Sequence, residues 1–500
     1  MVTANSDVSN GDTSSASALE ANPGEDGISL REAIEVTNSD PGSYTIGFGT
    51  SLQGATIALG SELPLLVGGG VTINGDIDGG GTPDLTIRSA EGIQVQWAFS
   101  LSSSANMLHA LRLRGFDYGV LIEPPHFPFP SNQTFTANTV DGLVMRGIGS
   151  TGVLLDTTGL GNCDAPCASG NTWIDTTVTG NSITAREAGI MFFVASRDER
   201  VDGVTITDNA VKVLGRGRGP GINLESQGEG SGAMISNGLI ARNTVEGSPD
   251  IGIQLGAGGG RTQNGSTEGI RVVDNVIALG GSGSFFCCVG IVVEAASDSP
   301  QFAIGPPVQY LDDNVVRDVV LRGNQVRGKL PAGIVVQSGI GGGGRRNRIR
   351  DVRILDNRVH STIPTFAVLI WTGDGTPYRD RYSAYNKITG VVARGNRLRI
   401  RRGSDFRLAG GGIGAAGIAL IGGHKLGRDN LIRDVRLTRN SIRSPYTGIK
   451  VVGGIGETAR SNRVVCIALS RNSITDSRKK VLVRSNMRGA TGNRARVGSC

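Results

Sequence analysis

Two glutamates close two copies of one short phrase: Glu225 ends Gly221-Ile222-Asn223-Leu224-Glu225, and Glu294 ends Gly290-Ile291-Val292-Val293-Glu294. Successive side chains of a strand point to opposite faces. If Ile222 and Leu224 face a core, Asn223 and Glu225 face away from it, as do Val292 and Glu294. A third copy, Gly252-Ile253-Gln254-Leu255-Gly256, falls between them. Stacked as neighbouring parallel strands about 4.8 Å apart, the copies set the two Glu Cα atoms roughly 9 to 10 Å apart. Flexible side chains then bring the carboxyl groups into the ~6.5 to 9.5 Å range of an inverting glycosidase, one as general acid and one activating water. Gly256 leaves room for a sugar ring, and Asn223, Gln254 and Gln337 offer amides to its hydroxyls. The plainer reading leaves both glutamates solvated on a sheet surface.

The elements that must position this pair come from a repeat. The pairs Gly189-Ile190, Gly221-Ile222, Gly252-Ile253, Gly290-Ile291, Gly333-Ile334, Gly417-Ile418 and Gly448-Ile449 each open an apolar run, and Ala367-Val368-Leu369-Ile370 fills the one empty slot. An Asn recurs between them, at Asn181, Asn209, Asn243, Asn275, Asn324, Asn357, Asn396, Asn440 and Asn472, with gaps of 28 to 49 residues. Strands of three to five residues cannot bury an apolar face singly but can when stacked. The repeats are rich in Val, Ile, Thr, Gly and Asn and lack the Leu/Ala/Glu runs of paired helices. Three short strands per turn define a solenoid, the parallel β-helix. The corner Asn is expected in the left-handed conformation, hydrogen-bonded to the Asn of the next coil. A β-sandwich with Asn-rich turns is the alternative.

Aligning the coils on the Gly predicts two outward columns. One reads Phe193, Glu225, Gly256, Glu294, Gln337, Trp371, Ile421 and Val452; the other reads Met191, Asn223, Gln254, Val292, Val335, Leu369, Ala419 and Lys450. Insertions follow the Gly-Ile strand in coil after coil, from ASRDERVDG to IGGHKLGRDN, so long loops are expected on one side, walling this face. Loop acids compete for the catalytic role. Asp312 and Asp313 are the second candidates, Asp198 and Glu199 adjoin the same face, and Asp374 lies three residues after Trp371. Ca²⁺ suits such oxygens, although no cofactor is required and no metal-ligand set is assigned. Arg345, with Arg197 and Arg261, offers charge to a uronate, as a lyase or epimerase needs, but the first Lys on the columns is Lys450. Trp371, Tyr378, Tyr382 and Tyr385 suggest a sugar-stacking platform, which packing of their insertion on the solenoid explains equally well. The four His form no triad or metal pair.

Composition bounds the rest. With 38% hydrophobic residues, 5% aromatic and 77 Gly in 500 residues, the chain suits a narrow core of stacked small aliphatics. A net charge of +6 admits a polyanionic partner. The late arginines, however, fall partly on outward strand positions, without the basic helix or aromatic-basic motif of a nucleic-acid binder, so nucleic acid is not expected. No run of 18 apolar residues spans a membrane. Met1-Val2-Thr3 shows no signal peptide and reads as a trimmed start. Cys163 with Cys167, and Cys466 with Cys500, could close disulfides; Cys287 and Cys288 stay open, and zinc lacks a second ligand pair. This points to a secreted protein. The sugar, the linkage and the oligomeric state stay open.

Residues 1–27 read as a polar lead-in, and residues 28–500 as a single domain. Within it, 28–90 form an N-terminal cap and first coils, 91–483 carry coils with inserted loops, and 484–500 form a tail closing the last coil. Ser29 and Glu32 make a capping box for a short helix whose apolar face, Leu30, Ala33, Ile34 and Thr37, covers the open end of the solenoid. Pro124-Pro125-His126-Phe127-Pro128-Phe129-Pro130 interrupts the coils as a projecting loop.

The run GISLREAIEVTN, followed by YTIGF, ATIALGSELPLL, VTINGDIDG and LTIRS, resembles the CSLREA domain that begins secreted bacterial right-handed β-helix proteins. The resemblance covers roughly residues 25 to 90, with Ile28 where that module has Cys. The remaining chain is similar to the pectate-lyase-like superfamily through its repeat grammar. The resemblance implies a right-handed helix and a role in polysaccharide degradation or surface attachment, and it carries over no catalytic residue. The joint NTD, DD, GHG and RIK pattern of polygalacturonase-like β-helices is not reproduced by Asp312-Asp313, His424 and Gly448-Ile449-Lys450 at these spacings. The expectation is an all-β, right-handed parallel β-helix cleaving a polysaccharide, with a two-carboxylate hydrolase favoured over a lyase or epimerase and over a non-catalytic adhesive solenoid.

Overall fold

The structure, a computed structural model, describes all residues except 41, 126–130, 158–168, 216–218, 229–231, 261–262, 281–287, 298–311, 342–343, 376–382, 403–413, 457 and 499–500. Three long parallel sheets wind around one core. Sheet 1 runs from Thr56–Leu59 to Ser473–Thr475, sheet 2 from Trp97–Leu101 to Lys479–Met487, and sheet 3 from Tyr44–Ile46 to Arg494–Val497. One coil illustrates the order: Ala188–Val194 in sheet 2, Arg200–Asp202 and Thr205–Thr207 in sheet 3, Ala210–Val213 in sheet 1, then Pro220–Gly228 in sheet 2 again. This is the right-handed parallel β-helix, the hand that parallel crossovers adopt almost without exception.

The Gly-Ile phrase has a steric reason. Ile190, Ile222, Ile253, Ile291 and Ile334 stack in register at 0% exposure, each worth about 1.5–3 kcal/mol of burial. The preceding glycine lets the strand pass close to its neighbours: a Cβ at Gly221 would meet Val245 Cγ1 at 2.3 Å and the Gly252 carbonyl at 2.7 Å.

The Asn corner forms a continuous ladder. From Asn181 to Asn472 each side-chain amide donates to the Oδ1 of the next, at 2.9 to 3.1 Å. The left-handed residue is not the Asn, as expected, but the one before it: Asp208, Arg242, Asp274, Asp356, Arg439 and Arg471 have φ of 53 to 59°, and Gly180, Gly323 and Gly395 take the same role. The bend at that residue aims the following Asn inward. A second, unanticipated ladder links Asn314, Asn347, Asn386, Asn430, Asn462 and Asn493 at the corner before sheet 3.

The Leu30–Ser39 helix carries the expected capping box. Order does not begin at Ser29, however. Val2 is fully buried and bridges Phe48, and the Ala16–Ala21 helix packs Leu19 against Ile28 and Val36. Glu32 ties these parts together: Oε1 accepts from the Asn10 and Gly11 amides at 2.7 and 2.6 Å, and Oε2 from the Ser29 amide at 2.8 Å. The C-terminal segment is likewise not a closing tail, because Lys479–Met487 and Arg494–Val497 extend sheets 2 and 3 by further strands. The insertions also begin later than their composition suggests. Gly- and Ser-rich stretches stay in ladder register through Gly228, Gly260, Ser297, Gly341 and Gly375, since backbone pairing needs no apolar side chain. No helix among the described residues is long and apolar enough to cross a membrane.

Candidate functional site

Sheet 2 reproduces both predicted columns. Phe193, Glu225, Gly256, Glu294, Gln337, Trp371, Ile421 and Val452 are successive ladder partners, and so are Met191, Asn223, Gln254, Val292, Val335, Leu369, Ala419 and Lys450. Glu225 and Glu294 therefore stand two strands apart with Gly256 between. They are not solvated: their exposures are 1% and 2%, and Asn223 is 2% exposed.

Gln254 joins the two carboxylates. Its Nε2 donates to Glu225 Oε2 at 3.1 Å and to Glu294 Oε1 at 2.5 Å. Gln337 Nε2 donates to Glu294 Oε2 at 2.7 Å, and Asn223 Nδ2 lies 3.5 Å from Glu225 Oε2. The two contacts to Gln254 cap the separation of those oxygens at about 5.6 Å, below the inverting range and near the ~5 to 5.5 Å of a retaining pair. The two bridged oxygens thus stand closer than the inverting spacing expected from the strand count, because they share one amide over Gly256. A Cβ there would meet Glu225 Cγ at 2.8 Å, so glycine makes space for the glutamate itself. The amides of Gln254 and Gln337 hold the carboxylates rather than standing free for sugar hydroxyls.

The other candidates scatter. Asp312 and Asp313 lie at the corner before sheet 3, both paired to Arg346 Nη2, at 3.0 and 2.7 Å. Arg346 draws the Asp313 carboxyl below the usual range, whereas burial raises that of Asp312. The Arg345 amide donates to Asp312 Oδ1 at 3.1 Å in the same corner. Trp371 is no exposed platform: at 5% exposure it packs with Leu369 and Ile421 in an apolar cluster and meets the His424 ring edge-on at 5.9 Å. Asp374 pairs through its backbone with Ile340 and His424, on the ladder rather than in a loop. Tyr378, Tyr382, Arg261, Phe127, Phe129, Cys163, Cys167, Cys287 and Cys500 lie outside the described residues.

One group on this face escaped the sequence reading, and two that it named, Glu199 and Lys450, lie in other surroundings than expected. Asp156, 8% exposed, precedes Phe193 on the Glu column, so Asp156, Glu225 and Glu294 stand on alternate strands. Its strand, Thr151-Gly152-Val153-Leu154-Leu155-Asp156, has the same grammar with Val for Ile, which is the signal that could have found it. Glu199, taken for a loop acid, is fully buried at a corner position, and burial pushes its carboxyl up to about 9. Lys450 is buried, donates to the Gly414 carbonyl at 3.1 Å, and has its amine pushed down to about 8 by burial and then Arg484. Among the described residues, Asp76, Asp78 and Asp84 gather three carboxylates within 4.8 Å, and backbone amides of their own turn, such as those of Ile77, Gly80 and Gly81, already occupy several of those oxygens.

No known protein family and no curated protein matches the chain, the CSLREA domain included. Solved structures of loosely similar shape include the A-module of the Azotobacter vinelandii mannuronan C-5 epimerase AlgE6, with 14% identity over 90% of this chain and 94% of that one and a TM-score of 0.47. A mutant tailspike protein of E. coli bacteriophage HK620 has 10% identity over 91% and 76%, with a TM-score of 0.47. An exopolygalacturonase from Thermotoga maritima has 12% identity over 81% and 84%, with a TM-score of 0.35. Likeness at this level says nothing of the chemistry of this chain.

Proposed function

We propose that this chain is a secreted glycoside hydrolase acting on a polysaccharide, with Glu225 and Glu294 as its two catalytic carboxylates. The observation that supports the reading is the bridge from Gln254 Nε2 to both glutamates, at 3.1 and 2.5 Å, in an enclosed site. Glu294, which accepts from the Gln254 and Gln337 amides, takes the role of nucleophile in this reading. Glu225, on the other side of the Gln254 amide, takes the role of acid. It gives its proton to the glycosidic oxygen as the C1–O bond breaks and Glu294 forms an ester to C1. Glu225 then takes a proton from water, whose oxygen attacks C1 and releases Glu294, with net retention. Burial of the pair to 1% and 2% means that substrate enters only with movement of its surroundings. The reaction needs no cofactor; Ca²⁺ would have to compete with Arg346 for Asp312 and Asp313. Glycan panels, neutral and acidic, assayed for new reducing ends and for absorbance of an unsaturated uronate, test the proposal. Reducing ends that vanish in Glu225→Gln and Glu294→Gln support it. Unsaturated products would make the chain a lyase, and binding without turnover would make it an adhesive solenoid.

A further inference from the structure

In a parallel β-helix, order along the chain is position along the axis. Charge is unevenly divided along it: residues 1–313 hold 34 Asp and Glu against 14 Lys and Arg, and residues 314–500 hold 10 against 36. The rod is acidic from its cap to the middle and basic beyond. Sheet 1 gathers part of this charge into two adjacent outward rows, Gln325, Arg358 and Arg397 beside Arg327, His360 and Arg399. All four of these arginines are exposed, as are Arg401 and Arg402, which continue the last strand. Among the described residues none of the six has a carboxylate partner. The stretch is bounded by ordinary pairs in the same row: Lys212 with Glu246 at 3.6 Å upstream, and Arg443 with Asp476 at 2.5 Å downstream.

Like charges stacked about 4.8 Å apart raise the free energy of the folded rod, and a bound polyanion would relieve that cost. The field is felt locally, since the His360 imidazole is held below its ordinary range first by burial and then by Arg399 and Arg401. Two features select among polyanions. No Phe, Tyr or Trp stands on these rows to stack a base, as single-stranded nucleic acid would require. The coil spacing, about 4.8 Å, is close to the length of one pyranose in an extended chain.

We propose that the outward face of sheet 1 between Gln325 and Arg402 docks an acidic polysaccharide lying along the axis, one anionic sugar per coil. This surface is separate from the sheet 2 pair and does not depend on the activity assigned there. Binding of the full chain to polygalacturonate, to its methyl ester and to DNA, at low and at physiological salt, tests it alongside the triple variant Arg358→Gln, Arg397→Gln, Arg399→Gln. The parent should bind polygalacturonate, lose affinity with salt and ignore the ester. The variant should bind ~10-fold more weakly or worse, with an undiminished melting temperature. Equal binding by parent and variant, equal binding of the methyl ester, or no binding of polygalacturonate at low salt overturns the proposal. Tighter binding of DNA than of polygalacturonate would instead assign the surface to nucleic acid.

Discussion

Replacing Glu199 by Gln should stabilise the protein at neutral pH and remove a fall in stability that the parent undergoes as pH rises. Glu199 occupies the corner position that later coils give to Asn314 and Asn347, through the register Arg200, Met234, Ser266, Val315, Arg348. It is 0% exposed and neither carboxyl oxygen completes a hydrogen bond. Burial, with Asp156 adding, pushes the group from 4.5 up to about 9; Thr157, the Ser196 amide and Asn171 pull the other way without closing a bond of standard geometry. The folded chain therefore keeps a proton that the unfolded chain releases above its own pKa. The contribution to stability is complete below pH 4.5, falls by about 1.4 kcal/mol per unit up to pH 9, and is level beyond. Between pH 4.5 and 7 that amounts to about 3 kcal/mol. Gln keeps the shape and cannot ionise. Urea unfolding of parent and variant at pH 4.5, 7 and 9 isolates the effect, because shared titrations cancel in the difference. A stability gap between the two that stays flat across these pH values would refute the reasoning.

Asn243→Ala should cost about 3 kcal/mol or more in thermal unfolding, since it leaves the Asn209 backbone amide without its acceptor and takes a partner from the Asn209 side chain, Asn275 Oδ1 and the Ile206 carbonyl inside the ladder; a surface-sized loss would remove the ladder from the stability argument. Glu32→Ala unties three backbone amides at the cap, and melting should fall by on the order of 3 kcal/mol while dye binding to the exposed core end rises. Deleting residues 28–38 outright should leave aggregates or no fold. Glu225→Gln should lower turnover about 10²- to 10⁴-fold in the reducing-end assay, with melting nearly unchanged, while Asp313→Asn keeps parental activity; the opposite pattern would move the site to the Arg346 corner.

The fold was legible because its causes are local and repeated. Gly221 is needed where sheet 2 passes Val245, and the same need recurs in each coil, so the phrase is visible without the structure. The outward columns followed from strand alternation alone. What could not be read was where side chains go once they leave the strand. Register placed Glu225 and Glu294 two strands apart, but register does not show the Gln254 amide that bridges them. Trp371 looked like a platform because an aromatic cluster in an insertion carries no mark of its burial. The second Asn ladder was missed because insertions of varying length separate its members from the Gly-Ile phrase.

Each corner Asn offers an acceptor to the coil before and a donor to the coil after, so every junction in the rod is interchangeable. A coil could be duplicated or lost without any new kind of contact, and the length of such a molecule is free to drift or to be engineered. The carboxylate pair does not share that freedom, because its geometry is counted in coils. Loss of the Gly256 coil would put Glu225 and Glu294 on adjacent strands about 4.8 Å apart, and one added coil would carry them beyond the reach of a single glutamine. Selection on this scaffold should therefore tolerate length changes everywhere except in the four coils from Glu225 to Gln337.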